Sequence, residues 1–561
     1  MKKKGKITKA SWGLLVVLFL SLAAFTGKTE LVEKGQRYFD IARNLDIFAT
    51  LFREVNAYYV DEVNPNTLMK TGVDAMLESL DPYTNYIPED DIEDYRTMTT
   101  GEYGGIGALI GRNRGKNVVM MPYEGFPAEK SGLKVGDQIL EIDGIDVSEK
   151  NTSDISKLLK GQANTSLKIK IQRMDSETPE TFQIHRKKIT LKNVPYYGKV
   201  NDNVGYIKLT DFTTGAGKEV RNALKDLKGE GVNSVILDLR GNPGGLLNEA
   251  VNVSNVFVSK GKKVVYTKGK VTDWNKTYKT LNGALDDKIP LVVLTNGRSA
   301  SASEIVSGVM QDYDRGVLVG SRTFGKGLVQ TTRPLSYNSR LKVTTAKYYI
   351  PSGRCIQAID YSQKDKNGHG VKLADSLKTA FKTKNGRVVY DGAGLNPDIE
   401  VKRTDLPPIA ISLLNKGLVF DYATTYYYNN QGKNVDPKSF AVSDKDYADF
   451  VAWLSDKDYD YETRSELALE RLIELTSKES MSEGVQDELV KIGEKIRHDK
   501  KADLTQFQKQ IRPILSQEIS GRFFLSRGMV ESGLKHDPDV KKALDILSDK
   551  EKYESLLTSN Q

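Results

Sequence analysis

The chain has 561 residues, of which 28% are charged and 39% hydrophobic, and its formal net charge is +8. Lysines are spread along the whole sequence and form no basic stripe interleaved with aromatic residues, which argues against a nucleic-acid-binding module. No group of His, Cys and carboxylate residues has the spacing of metal ligands, so we expect neither a metal nor another cofactor. The length is sufficient for three or four domains.

The amino terminus has the pattern of an export signal. Five lysines precede an apolar run of about fourteen residues from Trp12 to Phe25, and polar residues follow it. We therefore expect residues 1–26 to be a signal peptide and the protein to reach the periplasm or cell envelope. An uncleaved anchor in the inner membrane remains an alternative, although the run is shorter than the roughly twenty residues of a spanning helix. The single cysteine, Cys355, excludes a lipid-anchored amino terminus and an intramolecular disulfide.

The next region, residues 31–98, is predicted to be helical. Its apolar residues recur at the spacing of one face of an amphipathic helix. The residues of this face are Leu45, Phe48, Phe52, Val55 and Tyr59.

A glycine-rich unit follows the helical region. The glycine-rich run opens one predicted strand, and a second strand is predicted at Val118. The sequence of residues 127–144 continues the same unit. The glycine-rich run itself comprises Gly104, Gly105, Ile106 and Gly107. Residues 99–187 thus resemble a PDZ domain, in which clustered N–H groups bind a terminal carboxylate and a strand edge pairs with an extended peptide. The resemblance implies that the four residues of the run bind the free C-terminus of a protein or peptide.

Two motifs further along the chain carry groups suited to nucleophilic catalysis. Ser301 follows a predicted buried strand, and Lys326 lies 326 − 301 = 25 positions later. Burial disfavours the charged form of a lysine, so a neutral amine becomes available to take the proton of a serine hydroxyl. Ser299 and Ser303 are rival nucleophiles on composition. A Ser-His-Asp triad is the less favoured alternative, because the four histidines lie in polar, charged stretches: His185, His369, His498 and His536.

Ser301 also has a purely structural interpretation. With Glu304 three residues later, it forms the residue pair of a capping box ahead of an apolar helix that begins near Ile305. The two interpretations are compatible, because the first turn of a helix has unpaired N–H groups that favour negative charge. The N–H of Ala302 could form half of an oxyanion hole, and the glycine-rich turn after the strand at residues 235–239 could supply the other half.

The order of these motifs closely resembles that of the C-terminal processing peptidases, also called tail-specific proteases. The motifs are D-L-R-G-N-P-G-G at 238–245, S-A-S-A-S-E-I at 299–305, T-F-G-K-G-L-V-Q at 323–330 and G-L-N-P-D-I at 394–399. The resemblance runs from about residue 40 to about residue 403. It implies a serine endopeptidase with a crotonase-like core.

The resemblance also implies roles for individual residues. Ser301 would be the nucleophile, Lys326 the general base and Gln330 the residue that orients the lysine. If Lys326, Leu328 and Gln330 alternate along a strand, the side chains of Lys326 and Gln330 lie on the same face of that strand.

Other residues of the motifs would stabilise the reacting groups. By the resemblance, the oxyanion hole would consist of the Ala302 N–H and an N–H from Gly244 or Gly245, a choice that the sequence leaves open. Three further residues are expected to brace the helix and the lysine segment by hydrogen bonds: Glu304, Asp312 and Thr323.

The predicted fold is multi-domain α/β. Strands alternate with helices through residues 188–403, which argues for an α/β protease core, and the PDZ domain is inserted ahead of it. Residues 358–390 form a charged insertion to which we assign no role. Residues 404–561 are predicted to form a helical domain that packs on the protease or makes a homodimer. Its apolar stripes comprise Val485, Leu489, Ile492 and Ile496 on one helix, and Leu504, Phe507 and Ile511 on another.

Two functions of different classes follow from these patterns. The first is an exported endopeptidase that cleaves proteins near their C-termini, with the PDZ domain recognising the tail and an adaptor protein as a further partner. The alternative is a catalytically silent PDZ scaffold that recruits envelope proteins. A different hydrolase on the same core is a weaker third interpretation. The complete Ser, Lys and Gln set favours the protease.

Overall fold

The computed structural model describes residues 35–402, 405–433, 435–479, 483–496 and 500–558. The predicted export signal lies outside these residues. Two compact units divide between Ser79 and Leu80. Within the part of the chain that the structure describes, no helix is long and apolar enough to cross a membrane.

From residue 35 onward, where the description of the first unit begins, it contains the helices α1 (35–58) and α2 (Pro65–Glu78). The side chain of Asn64 caps α2 by accepting the N–H groups of Asn66 and Thr67, and a proline at its first position fits the helix start. The predicted amphipathic helix through Leu45 and Phe48 corresponds to α1. Leu45 and Phe48 on its apolar face are 64% and 51% exposed.

The second unit begins with a short strand and a helix, followed by the PDZ-like sheet. That sheet has the order β3–β4–β5–β7–β8, β6 pairs with β5, and β2 pairs with β9. Consequently β3 is an edge strand. The elements are β1 (Asn85–Ile87), α3 (Ile92–Thr100), β2 (Glu102–Gly105), β3 (Ala108–Asn113), β4 (Lys116–Pro122), α4 (Pro127–Lys130), β5 (Gln138–Ile142), β6 (Ile145–Asp146), α5 (Thr152–Leu159), β7 (Ser166–Gln172), β8 (Glu180–His185) and β9 (Lys187–Thr190).

The next region contains the α/β core and two small hairpins. Its elements are β10 (Tyr196–Lys199), β11 (Val204–Lys208), α6 (Ala216–Gly229), β12 (Ser234–Asp238), α7 (Leu247–Phe257), β13 (Lys263–Gly269), β14 (Thr277–Lys279), β15 (Leu291–Thr295), α8 (Ala302–Asp312), β16 (Val317–Gly320), β17 (Leu328–Pro334), β18 (Arg340–Tyr349), β19 (Ile359–Lys364), β20 (Gly370–Lys372), β21 (Ala380–Lys382), β22 (Val388–Tyr390) and β23 (Ile399–Glu400).

A six-stranded sheet, here called the core sheet, organises this region. Its order is β10–β11–β12–β15–β16–β23, parallel except for β10. Its strands β12 and β15 are buried along their whole length, as expected of parallel strands covered on both faces. The turn after β12 and the junction from β15 to α8 lie at the carboxyl ends of neighbouring strands, where α/β proteins bind their ligands.

A second sheet lies beside the core sheet and carries the lysine segment. Its strands have the order β1–β18–β13–β14, and β17 also pairs with β18. The strand β17 begins at Leu328, so Lys326 lies in the turn before it. Between Val329 and Gln330 the pairing shifts by one residue, and the extra residue, Thr345, lies on β18. Lys326 therefore lies outside the strand in which its alternation with Gln330 was predicted, although both residues line one cavity.

The carboxy-terminal region is helical, as predicted. Its helices are α9 (Pro408–Asn415), α10 (Leu418–Asn429), α11 (Asp444–Trp453), α12 (Arg464–Lys478), α13 (Glu483–Ile496), α14 (Lys500–Gln506), α15 (Gln508–Leu534), which is broken at Phe524 and Leu525, α16 (Pro538–Leu547) and α17 (Lys550–Leu556). Short 3₁₀ turns occur at Glu89–Asp91, Thr272–Trp274, Asp375–Leu377 and Leu454–Asp456.

The predicted apolar stripes of this region differ in burial. Leu504 and Ile511 are buried in the helical core, whereas Val485 and Ile492 are 40% and 45% exposed. The final helices pack on the core sheet. Val540 of α16 belongs to the apolar cluster on that sheet.

Candidate active site

Glu304 is the centre of the site. It lies fully buried in the first turn of α8, and its carboxylate accepts four hydrogen bonds. Oε2 accepts the N–H groups of Ser301 and Lys326, both at 2.9 Å. Oε1 accepts the Thr323 hydroxyl at 2.6 Å and the Gly325 N–H at 2.8 Å. One carboxylate thus ties the serine backbone to the lysine segment.

Tyr348 makes a second connection between the same two residues. Its hydroxyl donates to the carbonyl of Lys326 at 2.6 Å and contacts that of Ser301 at 3.1 Å. The side chain is 1% exposed, and burial raises its pKa well above the ordinary value, so the phenol stays protonated. It therefore remains a hydrogen-bond donor.

Burial strongly shifts the pKa values of two ionisable groups of the site, Lys326 and Glu304. It lowers the pKa of Lys326 to about 8, with a smaller contribution from the like charge of Lys342 and opposition from Asp81 and Glu304. It also raises the pKa of Glu304 to about 7, against the lowering effect of its hydrogen-bond donors. A neutral amine is consequently accessible near neutral pH.

Ser301 has a backbone conformation that suits an exposed nucleophile. As the residue that caps α8, it has φ 54° and ψ −112°, a region that costs a non-glycine residue roughly 1–3 kcal/mol. Its neighbours are engaged otherwise: the buried hydroxyl of Ser299 donates to the Leu239 carbonyl, and that of Ser303 donates to the Asn242 carbonyl. These contacts favour Ser301 over both rivals.

The glycine-rich turn packs directly against Ser301. A Cβ at Gly244, where φ is +101°, would lie 2.8 Å from the Ser301 Cβ and 2.9 Å from the Ala302 nitrogen. The Gly244 N–H already donates to the Asn242 side chain at 2.9 Å. Within the described residues, the N–H groups of Gly245 and Ala302 donate to no protein group. This difference favours Gly245 as the second oxyanion donor.

A cavity of about 350 Å³ contains both the serine and the lysine. Its wall includes Lys342 and Asp211 beside Ser301 and Lys326. Apolar side chains form much of the remainder: Met98, Leu246, Leu247, Ile305, Leu328 and Val329. An apolar wall beside a nucleophile is suited to holding a peptide side chain.

Comparison with known proteins assigns families to three parts of the chain. Residues 203–364 match the family described as "Peptidase family S41", and residues 118–173 match "PDZ domain". Residues 409–547 match "Probable PDZ-protease, C-terminal helical domain".

Individual relatives match over longer stretches of the chain. The chain is 36% identical over 321 residues to a carboxy-terminal-processing protease of Bartonella bacilliformis, covering 56% of this chain and 73% of the relative. The chain belongs to the carboxy-terminal-processing proteases of peptidase family S41. A "Probable CtpA-like serine protease" of Staphylococcus aureus is 35% identical, with 68% of this chain and 75% of the relative covered. A solved "photosystem II D1 C-terminal processing protease" is 28% identical, with coverages of 64% and 93% and a TM-score of 0.34.

The predicted family, the multi-domain α/β fold and the serine-type protease activity are thus confirmed. In this S41 protease, Gln330 lines the cavity, but its amide donates to the Thr344 hydroxyl at 3.1 Å. Asp312 lies at the far end of α8, where it binds the buried guanidinium of Arg354 at 2.7 Å. It therefore braces that end of the helix and not the lysine segment.

None of the described histidines lines the cavity that contains Ser301 and Lys326. His185 lies on β8 of the PDZ domain, His369 lies in an exposed hairpin, and His536 precedes α16. His498 lies outside the described residues. The structure therefore gives no support to the triad alternative within the part of the chain it describes.

Sequence reasoning missed three side chains around Lys326. Tyr348 ties the lysine to the serine, Lys342 lines the same cavity, and the ring of Tyr83 lies 4.2 Å from the lysine Nζ. Tyr83 belongs to the sequence D-P-Y-T at 81–84, which precedes the PDZ domain. Its proximity to Lys326 depends on strand pairing and could not be read from local spacing.

The predicted carboxylate loop of the PDZ domain is shorter than expected. Gly104 and Gly105 lie in β2, paired with β9, while Ile106 and Gly107 form the turn into β3. Among the described residues, the N–H groups of Ile106 and Gly107 donate to no protein group. The turn therefore presents two N–H groups next to the edge strand β3.

Proposed function

We propose that this protein is an exported endopeptidase that uses Ser301 and Lys326 to cleave proteins near their C-termini. The observation that carries the proposal is the double connection of the two residues, through Glu304 and Tyr348, in one cavity. Neutral Lys326 accepts the hydroxyl proton as the Ser301 oxygen attacks the substrate carbonyl.

The remaining steps use groups already placed around the serine. The N–H groups of Ala302 and Gly245 stabilise the oxyanion that forms on the substrate carbonyl. Protonated Lys326 then gives its proton to the leaving amine, and water hydrolyses the acyl-enzyme at Ser301. Removal of the leaving amine is thus coupled to regeneration of the neutral base.

The PDZ domain is proposed to hold the substrate tail. The N–H groups of Ile106 and Gly107 would bind the terminal carboxylate, and the edge strand β3 would pair with the extended tail. Because Gly104 and Gly105 are engaged in β2, we assign them the role of shaping the turn.

The test is cleavage of an unfolded protein that carries either an apolar or a charged C-terminal tail. We expect the parent enzyme to cleave the apolar-tailed protein faster and Ser301→Ala to cleave neither. Equal cleavage by Ser301→Ala would overturn the assignment of the nucleophile. Binding of the tail without cleavage by the parent would favour the scaffold alternative.

Export is proposed from the amino-terminal pattern alone. Amino-terminal sequencing of the protein from the cell envelope would distinguish cleavage near residue 26 from an uncleaved anchor. The adaptor protein and the homodimer stay predictions, which co-purification and analytical ultracentrifugation would test.

A further inference from the structure

The turn that begins at Asp81 is built to present a tyrosine. The Asp81 Oδ1 accepts the N–H groups of Tyr83 and Thr84 at 2.8 and 2.9 Å, and its Oδ2 accepts the Thr84 hydroxyl at 3.1 Å. Such side-chain-to-backbone bonds fix a tight turn. The turn holds the Tyr83 ring over Lys326, with 4.2 Å between Nζ and the ring centroid.

The second sheet anchors this turn. The backbone N–H of Thr344 donates to the Thr84 hydroxyl at 3.2 Å, and Gln330 donates to the Thr344 hydroxyl at 3.1 Å. In addition, β1 pairs with β18 so that Asn85 lies opposite Lys342. Gln330 is thus connected to the turn that carries Tyr83.

The insertion at residues 358–390 reaches the same tyrosine. Tyr361 lies on β19, and its ring meets that of Tyr83 edge to face, with centroids 5.9 Å apart and an interplanar angle of 87°. The two hydroxyl oxygens are 3.5 Å apart. Edge-to-face pairs of this kind are attractive, so the hairpin β19–β20 braces Tyr83.

We propose that Tyr83 and Tyr361 form a cover that excludes water from Lys326, and that the 358–390 insertion serves the catalytic cavity by supplying Tyr361. Both are positioning residues, Tyr83 through direct contact with the lysine and Tyr361 through Tyr83. The inference rests on the proposed role of Lys326 as general base.

The electrostatic consequence follows from the groups that face Lys326. Lys342 on β18 disfavours its charge, while Asp81 in the turn and Glu304 on α8 favour it, and Tyr348 binds only its carbonyl. A tyrosine ring also attracts an ammonium group. Burial is nevertheless the largest cause of the lowered pKa, so opening the cover should raise the pKa towards the ordinary value.

The first experiment measures the lysine without using catalysis. In a Ser301→Ala background, the pH dependence of Lys326 acylation by trace acetic anhydride, read by peptide mass spectrometry, gives its pKa. We expect Tyr83→Ala and Tyr361→Ala to raise this pKa and to increase labelling at high pH. Tyr390→Ala, at a 48% exposed tyrosine on β22 of the same insertion, is the control and should change neither. An unchanged Lys326 pKa in both cover variants would overturn the inference.

The second experiment measures kcat/KM against pH in enzymes that retain Ser301. Tyr361→Ala should move the acid limb to higher pH and lower activity at pH 7 several-fold, with activity recovered at high pH. Tyr83→Leu, which keeps an apolar cover without an aromatic face, should not move the limb upward. A raised lysine pKa with an unmoved rate profile would support the cover and contradict Lys326 as base. A moved profile with an unchanged lysine pKa would overturn the cover.

Discussion

The catalytic cavity and the PDZ domain are held in place by different kinds of contact. At the cavity, a fully buried carboxylate with four donors and a buried phenol fix the serine and lysine segments. At the PDZ domain, the link to α10 is polar and partly exposed: Asn113 donates to Asp421 at 2.6 Å, and Arg114 pairs with the same carboxylate at 3.3 Å. Breaking a buried network leaves unpaired groups, whereas partly exposed contacts exchange with water.

This difference indicates where the molecule can move. Contacts between domains that resemble transient interfaces permit relative motion. The PDZ domain has further contacts of this kind with α10: Thr425 donates to the Met174 sulfur at 3.4 Å, and Lys134 faces the rings of Tyr427 and Tyr428. At the cavity, buried hydrogen bonds join the serine and lysine segments instead. We therefore expect substitutions at the cavity to remove catalysis and substitutions at the α10 contact to alter tail binding.

The largest loss of activity is expected from substitution of Lys326. Lys326→Ala and Lys326→Arg should each lower kcat/KM by about 10³-fold or more, because neither side chain can act as a base at neutral pH. Folding should be retained, since Glu304 and Tyr348 bind the backbone of residue 326 and not its side chain. Steady-state kinetics on the tailed substrate and thermal unfolding measure the two quantities. Activity of Lys326→Arg within tenfold of the parent would contradict the assignment.

The next largest loss of activity is expected from a substitution in the glycine-rich turn. Gly244→Ala would place a methyl group 2.9 Å from the Ala302 nitrogen and is expected to lower kcat by about 10²-fold or more. Gly241→Ala is the matched control: φ is also positive, at +76°, but the new Cβ meets nothing within 4 Å. It should cost about 1–2 kcal/mol in unfolding free energy with little change in kcat. Equal losses of kcat in both variants would show that backbone strain, and not the oxyanion site, is responsible.

The change of kcat/KM with pH should be smaller than the effect of either substitution and should be gradual. With the Lys326 pKa lowered to about 8, the neutral amine is the minor form at pH 7 and becomes the major form above pH 8. We expect kcat/KM to rise roughly tenfold per pH unit below that value and then to level off. Stopped assays between pH 6 and 9 on a short peptide avoid titration of a tail. A flat profile over this range would exclude a titrating lysine as base.

Much of this architecture could be predicted because the signals are local. The central strands β12, β15 and β16 of the core sheet are largely apolar runs. The spacing of Ser301 and Glu304 specifies a helix start, and the bond from the Ser301 N–H to the Glu304 carboxylate is present at 2.9 Å. The preference for Gly245 over Gly244 as the candidate oxyanion donor required the structure. The Asn242 side chain accepts the N–H group of Gly244 and not that of Gly245.

The features that could not be predicted depend on distant partners. Tyr361 meets Tyr83 across 278 positions, and Arg240 of the glycine-rich motif binds Asp537, 297 positions away, at 2.7 Å. The extra residue of β18, Thr345, shifts the pairing opposite Gln330 and has no signal in the sequence of β17. Such contacts arise from how sheets and helices pack, which periodicity within one segment does not encode.

The smallest effect on activity is expected from a substitution at the contact between the PDZ domain and α10. Asp421→Ala removes the acceptor of Asn113 and Arg114, at a cost of about 0.5–1.5 kcal/mol because the group is partly exposed. We expect a few-fold change in KM for a tailed protein, an unchanged kcat for a short peptide, and faster amide exchange in the β3–β4 hairpin. Asp458→Ala, which removes an exposed pair with Lys416 in the same helical region, should alter none of these. A fall in short-peptide kcat with Asp421→Ala would instead show that the α10 contact and the catalytic cavity are one rigid assembly.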